Sequence, residues 1–250
     1  MSRVAMRRSA LAEVTAAVLG YIDAAGAEQR VDIANAAVLP LETCRSVRAF
    51  PSYRGQLKNP GLWWSSTNSR HVAYGSWADR DQVMLLDYDP KVVAFASRPF
   101  QLLWTQHDDR DRSHTPGWFA RLADGGRAVI DRRPGGVIKP ADQVAFEATA
   151  HACGLVGWQY RLVDAPDQVF VINLKWLAGY RQPRNDVPRI ATQLIEVFAE
   201  PRALMAGTVE VGDPIAVLPT LFHLLWRRRL TADLSVLLHA GSLVQPGPEV

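Results

Sequence analysis

The chain has 250 residues, 48% of them hydrophobic, a formal net charge of +3 and only two cysteines. A chain of this length buries one large core, or a medium core with a small appended domain, and the neighbours of Cys44 and Cys153 suggest neither a disulfide framework nor a zinc cluster. The N-terminal segment has arginines but no sustained apolar stretch and no later run can span a bilayer, so a cytoplasmic setting without membrane association is expected; the mild basicity permits a nucleic-acid partner without requiring one.

In chain order, residues 13–22 are mostly apolar and residues 28–33 alternate loosely about the turn Asp23-Ala24-Ala25-Gly26. That pattern predicts an N-terminal hairpin, with a helix over 9–20 as the alternative. Arg45 to Trp64, rich in proline and glycine, reads as irregular. Its Arg45, Arg48, Arg54 and Lys58, mixed with Tyr53, Trp63 and Trp64, suit a phosphate backbone and bases; the simpler role for the tryptophans is to pin the loop to the core. Ser76 to Leu86 predicts a helix capped by Ser76, with Trp77, Asp81, Met84 and Leu85 near one side. Strands follow at 92–96 and 100–105, before the polar turn 107–111.

The stretch from Ser113 to Pro134 joins two apolar runs, 118–120 and 128–130, through Ala123-Asp124-Gly125-Gly126, and predicts a second hairpin. Its second strand ends in Asp131-Arg132-Arg133-Pro134. The spacing puts Asp131 and Arg133 on one face of a strand end, a layout that suits metal-dependent phosphodiester cleavage and equally a solvated surface hairpin.

Beyond it lie a helix at 142–153, a strand at 158–163 and a helix at 169–180. This order indicates an α/β sandwich around a mixed sheet flanked by helices. The composition shifts at Arg181-Gln182-Pro183-Arg184, which suggests a boundary after Tyr180. Helices at 190–198 and 215–226, the basic turn Arg227-Arg228-Arg229 and a short strand-like piece then form a small helical or winged module with a loose tail from Gly241. The expected division is a hairpin extension over 1–44, a central domain over 45–180 and the C-terminal module over 181–250.

The carboxylates available to converge are Asp79 on the first helix, Asp131 at the strand end and Glu147 on the later helix, the last more simply a solvated face. His71, His107, His151, His223 and His239 lack metal-ligand spacing. Arg227 to Arg229 could meet phosphates or an acidic partner, or simply close the helix before them.

Four stretches, RHVAYGSWADRD, LLDYDPKVVAFASRPF, HTPGWFARLADGGRAVIDRRP and NLKWLAGY, in this order over about 45–180, resemble the TnsA-type endonuclease subunit of heteromeric transposases. The C-terminal DPIAVLPTLFHLLWRRRLTADLS also resembles the end of its actinobacterial members. The resemblance implies a restriction-endonuclease-like fold and Mg²⁺- or Mn²⁺-dependent nicking of DNA at transposon 5′ ends. It also implies two partners, a transposase subunit of RNase H-like fold that joins the 3′ ends and a regulatory ATPase.

Carried over residue by residue, the family's helix glutamate falls on Asp79 and its final acid-x-lysine on Asp131 and Arg133. Asp79 and Asp131 are then the expected metal ligands, and Arg133 the cation that steadies the phosphate without serving as a base. The family's central aspartate falls on Gly117, which has no side chain to offer a metal. Asp111 or His114 is the nearest substitute. A subunit that still binds DNA and its partners but cuts poorly is therefore the alternative reading.

Overall fold

A computed structural model describes residues 17–50, 59–105, 110–133, 135 and 137–248. The parts of the sequence expectations that fall on residues 1–16, on Tyr53, Arg54 and Lys58, and on the His107 turn lie outside the described residues. The protein is mixed α/β, and its chain divides into two compact units.

The first unit comprises Met1–Trp63, His71–Asp79 and Lys91–Ala165. Strands β1 (Val18–Ile22) and β2 (Glu28–Asp32) form the expected hairpin around Asp23, whose carboxylate accepts from the amides of Gly26 and Ala27, both at 2.9 Å. This hairpin does not stand apart as an extension over 1–44: β1 also pairs antiparallel with β6 (Phe100–Thr105). A further strand, β7 (Asp111–His114), starts at the last residue of the polar stretch 107–111 and completes a sheet of order β2-β1-β6-β7.

A second sheet carries the central hairpin. Strands β8 (Trp118–Leu122) and β9 (Arg127–Arg132) turn at Gly125, whose φ of +83° only glycine adopts without strain. Strand β5 (Val92–Ser97) pairs antiparallel with β8, and β10 (Gln159–Val163) runs parallel to β9. A parallel partner needs a crossover, which helix α2 (Pro140–Leu155) supplies. Leu19, Phe100 and Leu102 from the first sheet, with Ile33 just after β2, share one core with Phe119, Val129, Cys153 and Trp158.

Two segments depart from the expected local structure. Within the supposedly irregular 45–64, strand β3 (Gly61–Ser65) starts a hairpin completed by β4 (Arg70–Tyr74), and Trp63 is buried as the pinning role requires. Helix α1 (Trp77–Tyr88) begins where Ser76 Oγ accepts from the Asp79 amide at 3.2 Å, but its inward face is Val83, Met84, Leu86 and Tyr88, while Trp77 is exposed.

The second unit comprises Trp64–Arg70, Arg80–Pro90 and Pro166–Val250, so it begins before the boundary expected at Tyr180. It holds helices α3 (Gln168–Ala178), α4 (Pro188–Val197), α5 (Leu204–Val211) and α6 (Pro214–Trp226). Asp167 and Asp213 cap α3 and α6 through the Phe170 and Ile215 amides. Helix α5 was not expected, and the tail is not loose: strand β13 (Leu243–Pro246) pairs with both β11 (Arg202–Ala203) and β12 (Leu230–Ala232). Among the described residues, no helix is long and apolar enough to cross a membrane.

Candidate functional site

The end of β9 lies beside the start of β8, since Trp118 is paired with Ile130. That register sets Gly117 against Asp131, and the Gly117 amide donates to Asp131 Oδ1 at 2.9 Å. A cleft of about 190 Å³ opens here, lined among others by Asp79 from α1, Ser97 at the end of β5 and Arg98 just after it, Gly117, Asp131 and Arg132. Three positions that the sequence resemblance selected, Asp79, Gly117 and Asp131, thus face one space from three separate elements.

Asp131 is 5% exposed and heavily engaged. Besides the Gly117 amide, its Oδ2 meets His114 Nε2 at 2.8 Å and accepts from the Tyr160 hydroxyl at 3.0 Å. Tyr160 lies on the parallel neighbour β10, one side-chain step from Leu162, the register partner of Asp131. Burial first, and then the charge of Asp131, push the Tyr160 phenol well above the usual range, so it stays a neutral donor. The same two causes push the Cys153 thiol up to about 12.

Arg98, with Arg132, is one of two cations that line this space among the described residues. It holds φ +48°, a left-handed conformation uncommon for a residue with a side chain, between an amide bond to Gly117 O and a carbonyl that accepts from Val47 N, both 2.9 Å. Its guanidinium lies 4.1 Å from the centre of the Phe50 ring. Gly75 makes room for it: a Cβ there would lie 2.9 Å from Arg98 Nη2 and 3.1 Å from Asp79 Oδ2. Burial lowers the guanidinium's pKa, the Asp79 charge opposes that, and Arg48 adds to the lowering.

Arg133 takes another place. It follows the last residue of β9, is exposed, and pairs with Asp164 at 3.1 Å outside the cleft, so the two-residue spacing does not bring it to the side of Asp131. Glu147 is exposed on α2 and accepts from Gln143 at 2.8 Å; Asp111 is exposed at the start of β7 and accepts from Thr105 at 3.2 Å. Neither lines the cleft. His114 reaches the site as a partner of Asp131, with its ring edge-on to Phe146.

This donor set fits a divalent cation poorly. Mg²⁺ asks for hard oxygens with free lone pairs. Both oxygens of Asp131 are occupied by protein donors, position 117 offers no carboxylate, and the described residues contain no group of three His, Cys, Asp or Glu side chains placed to hold a metal. Asp79 and Asp131 are the two side chains through which an ion would have to be held.

Sequence reasoning missed Arg98, Ser97 and Tyr160. For Arg98 one signal was available, a lone charge inside the apolar run Ala94-Phe95-Ala96-Ser97-Arg98-Pro99-Phe100. Tyr160 gave none, because a parallel pairing across α2 is not written in local spacing. Comparison with known proteins found no family model and no curated protein that matches the chain.

Proposed function

We propose that the chain is a TnsA-like endonuclease subunit of a heteromeric transposase, with a restriction-endonuclease-like domain that engages the DNA at transposon ends. The observation that supports this reading is the meeting of Asp79, Gly117 and Asp131 in one cleft, although they come from α1, the loop before β8 and the end of β9. Its expected partners are transposon-end DNA, a transposase subunit of RNase H-like fold and a regulatory ATPase. Asp79 and Asp131 are the residues on which strand cleavage would depend, and Mg²⁺ or Mn²⁺ the ion that cleavage would require.

A second reading, a subunit that binds and assembles without efficient cutting, is favoured by one observation: both oxygens of Asp131 are already engaged, by His114, Tyr160 and the Gly117 amide. Nicking of supercoiled plasmid carrying transposon ends, with the partner proteins and Mg²⁺ or Mn²⁺, separates the two. Nicking by the wild type that Asp131→Ala abolishes supports the endonuclease. An inert wild type with nicking gained in Gly117→Asp supports the assembly subunit, and that substitution requires the Ile130 carbonyl, 3.2 Å from the new Cβ, to move slightly. Failure to bind end-containing DNA in the presence of the partners sinks both.

A further inference from the structure

The cleft holds more donors than the protein itself uses. Ser97 is 6% exposed and lines the cleft, yet its hydroxyl has no hydrogen-bond partner among the described residues. The Nε of Arg132, another lining residue, is buried and equally without a partner there. Arg98 also lines the cleft, its backbone fixed on both sides and its guanidinium braced by Phe50. Buried donors without acceptors are uncommon in folded proteins and point to a ligand that accepts hydrogen bonds. A volume of about 190 Å³ equals about six water molecules of liquid, enough for one tetrahedral anion.

We propose that this cleft binds a phosphate group of DNA directly, without a metal ion, with Arg98 as the anchor and Ser97 Oγ and Arg132 as the further donors. The inference deepens the transposon-end reading and rests on it only for the source of the phosphate. Arginine suits the task because its planar fork of N–H groups matches two phosphate oxygens and keeps its charge when partly buried. The carboxylates that share the space do not fill the same role. Asp131 turns its oxygens onto Gly117, His114 and Tyr160, while Asp79 balances the Arg98 charge from the side of Gly75.

The test is calorimetric titration of the full chain in excess EDTA with three probes: inorganic phosphate, a short duplex with 5′ phosphates, and the same duplex without them. Binding is expected in EDTA; Arg98→Ala should weaken it at least about tenfold and flatten its salt dependence by about one phosphate contact, whereas Arg133→Ala should match the wild type. A preference for the phosphorylated duplex identifies a terminal monoester, and equal binding of both duplexes an internal phosphodiester; either supports the site. The proposal is overturned if no probe binds in EDTA, if a folded Arg98→Ala binds within about twofold of wild type, or if Arg133→Ala loses as much as Arg98→Ala. Should Arg98→Ala not fold, Ser97→Ala and Arg132→Gln decide: weakening in either supports the site, and no change in both overturns it. Absence of nicking with intact, Arg98-dependent binding in EDTA would count against the endonuclease and leave the phosphate site standing.

Discussion

Two buried aspartates, Asp87 in the second unit and Asp131 in the first, are each 5% exposed and each bonded by several donors, yet they are built for different ends. Asp87 accepts from Ser65 Oγ at 2.7 Å, Ser66 N at 3.1 Å and Thr67 N at 2.8 Å, all from the end of β3 and the turn that follows it. These donors all come from one turn, so the carboxylate works as a plug that holds that turn against α1. Asp131 draws its partners from the loop before β8, from β7 and from β10, and it faces an open cleft with Arg98 and Asp79. Donors brought from distant strands fix the acid's orientation at the wall of a cleft. A shell of that kind marks a site, whereas a shell of turn amides marks a joint.

The largest expected effect tests the joint. Asp87→Ala removes the acceptor of two amides and two hydroxyls at a half-buried turn, and it should cost about 3–4 kcal/mol in urea unfolding. A loss under about 1 kcal/mol would erase the structural half of the contrast. Asp131→Ala should cost less stability, about 2 kcal/mol, because the Gly117 amide lines the cleft and can turn to water. The proposed DNA cleavage should fall far more than stability, and a fall in stability alone would make Asp131 a second Asp87.

Cys153 reports on the charge of Asp131. The folded chain holds the thiol proton up to about 12, against an ordinary value of 9.0. Above the ordinary value the unfolded chain has released a proton that the folded chain keeps, so the unfolded state binds fewer protons and stability falls as pH rises. The contribution is therefore complete below pH 9.0 and is lost on the way to about 12, at a slope of at most about 1.4 kcal/mol per pH unit. Unfolding followed across that range should show the slope in wild type, a shallower one in Cys153→Ala, where the raised Tyr160 phenol still contributes above its ordinary 10.0, and a shallower one again in Asp131→Asn. An unchanged slope in Cys153→Ala would separate the thiol from the alkaline loss.

The smallest effect is expected at Arg133. Its ion pair with Asp164 joins side chains that are 45% and 71% exposed, and such pairs contribute about 0.5 kcal/mol or less. Arg133→Ala should leave both unfolding and DNA binding near wild type; a large loss of binding would return Arg133 to the site and displace Arg98.

What the sequence determined by itself is local. Ser76 begins α1, the glycines after Ala123 close the β8–β9 hairpin, and Asp213-Pro214 starts α6, because caps, turn residues and apolar spacing act within a few residues. The resemblance also carried Asp79, Gly117 and Asp131 to positions that do share a cleft. Strand partnership was not legible: β1 joins β6, β13 joins β11 and β12, and the polar Asp111–His114 becomes a strand only because β6 offers it an edge. Nor was the electrostatic character of the site. Period-two spacing gave Asp131 and Arg133 one face, but the strand ends at Arg132, which frees Arg133 to turn toward Asp164 while a parallel neighbour brings Tyr160 to Asp131. Local propensity fixes where elements start and stop; which donors surround a buried carboxylate depends on contacts between residues far apart in the chain, and only the tertiary structure decides those.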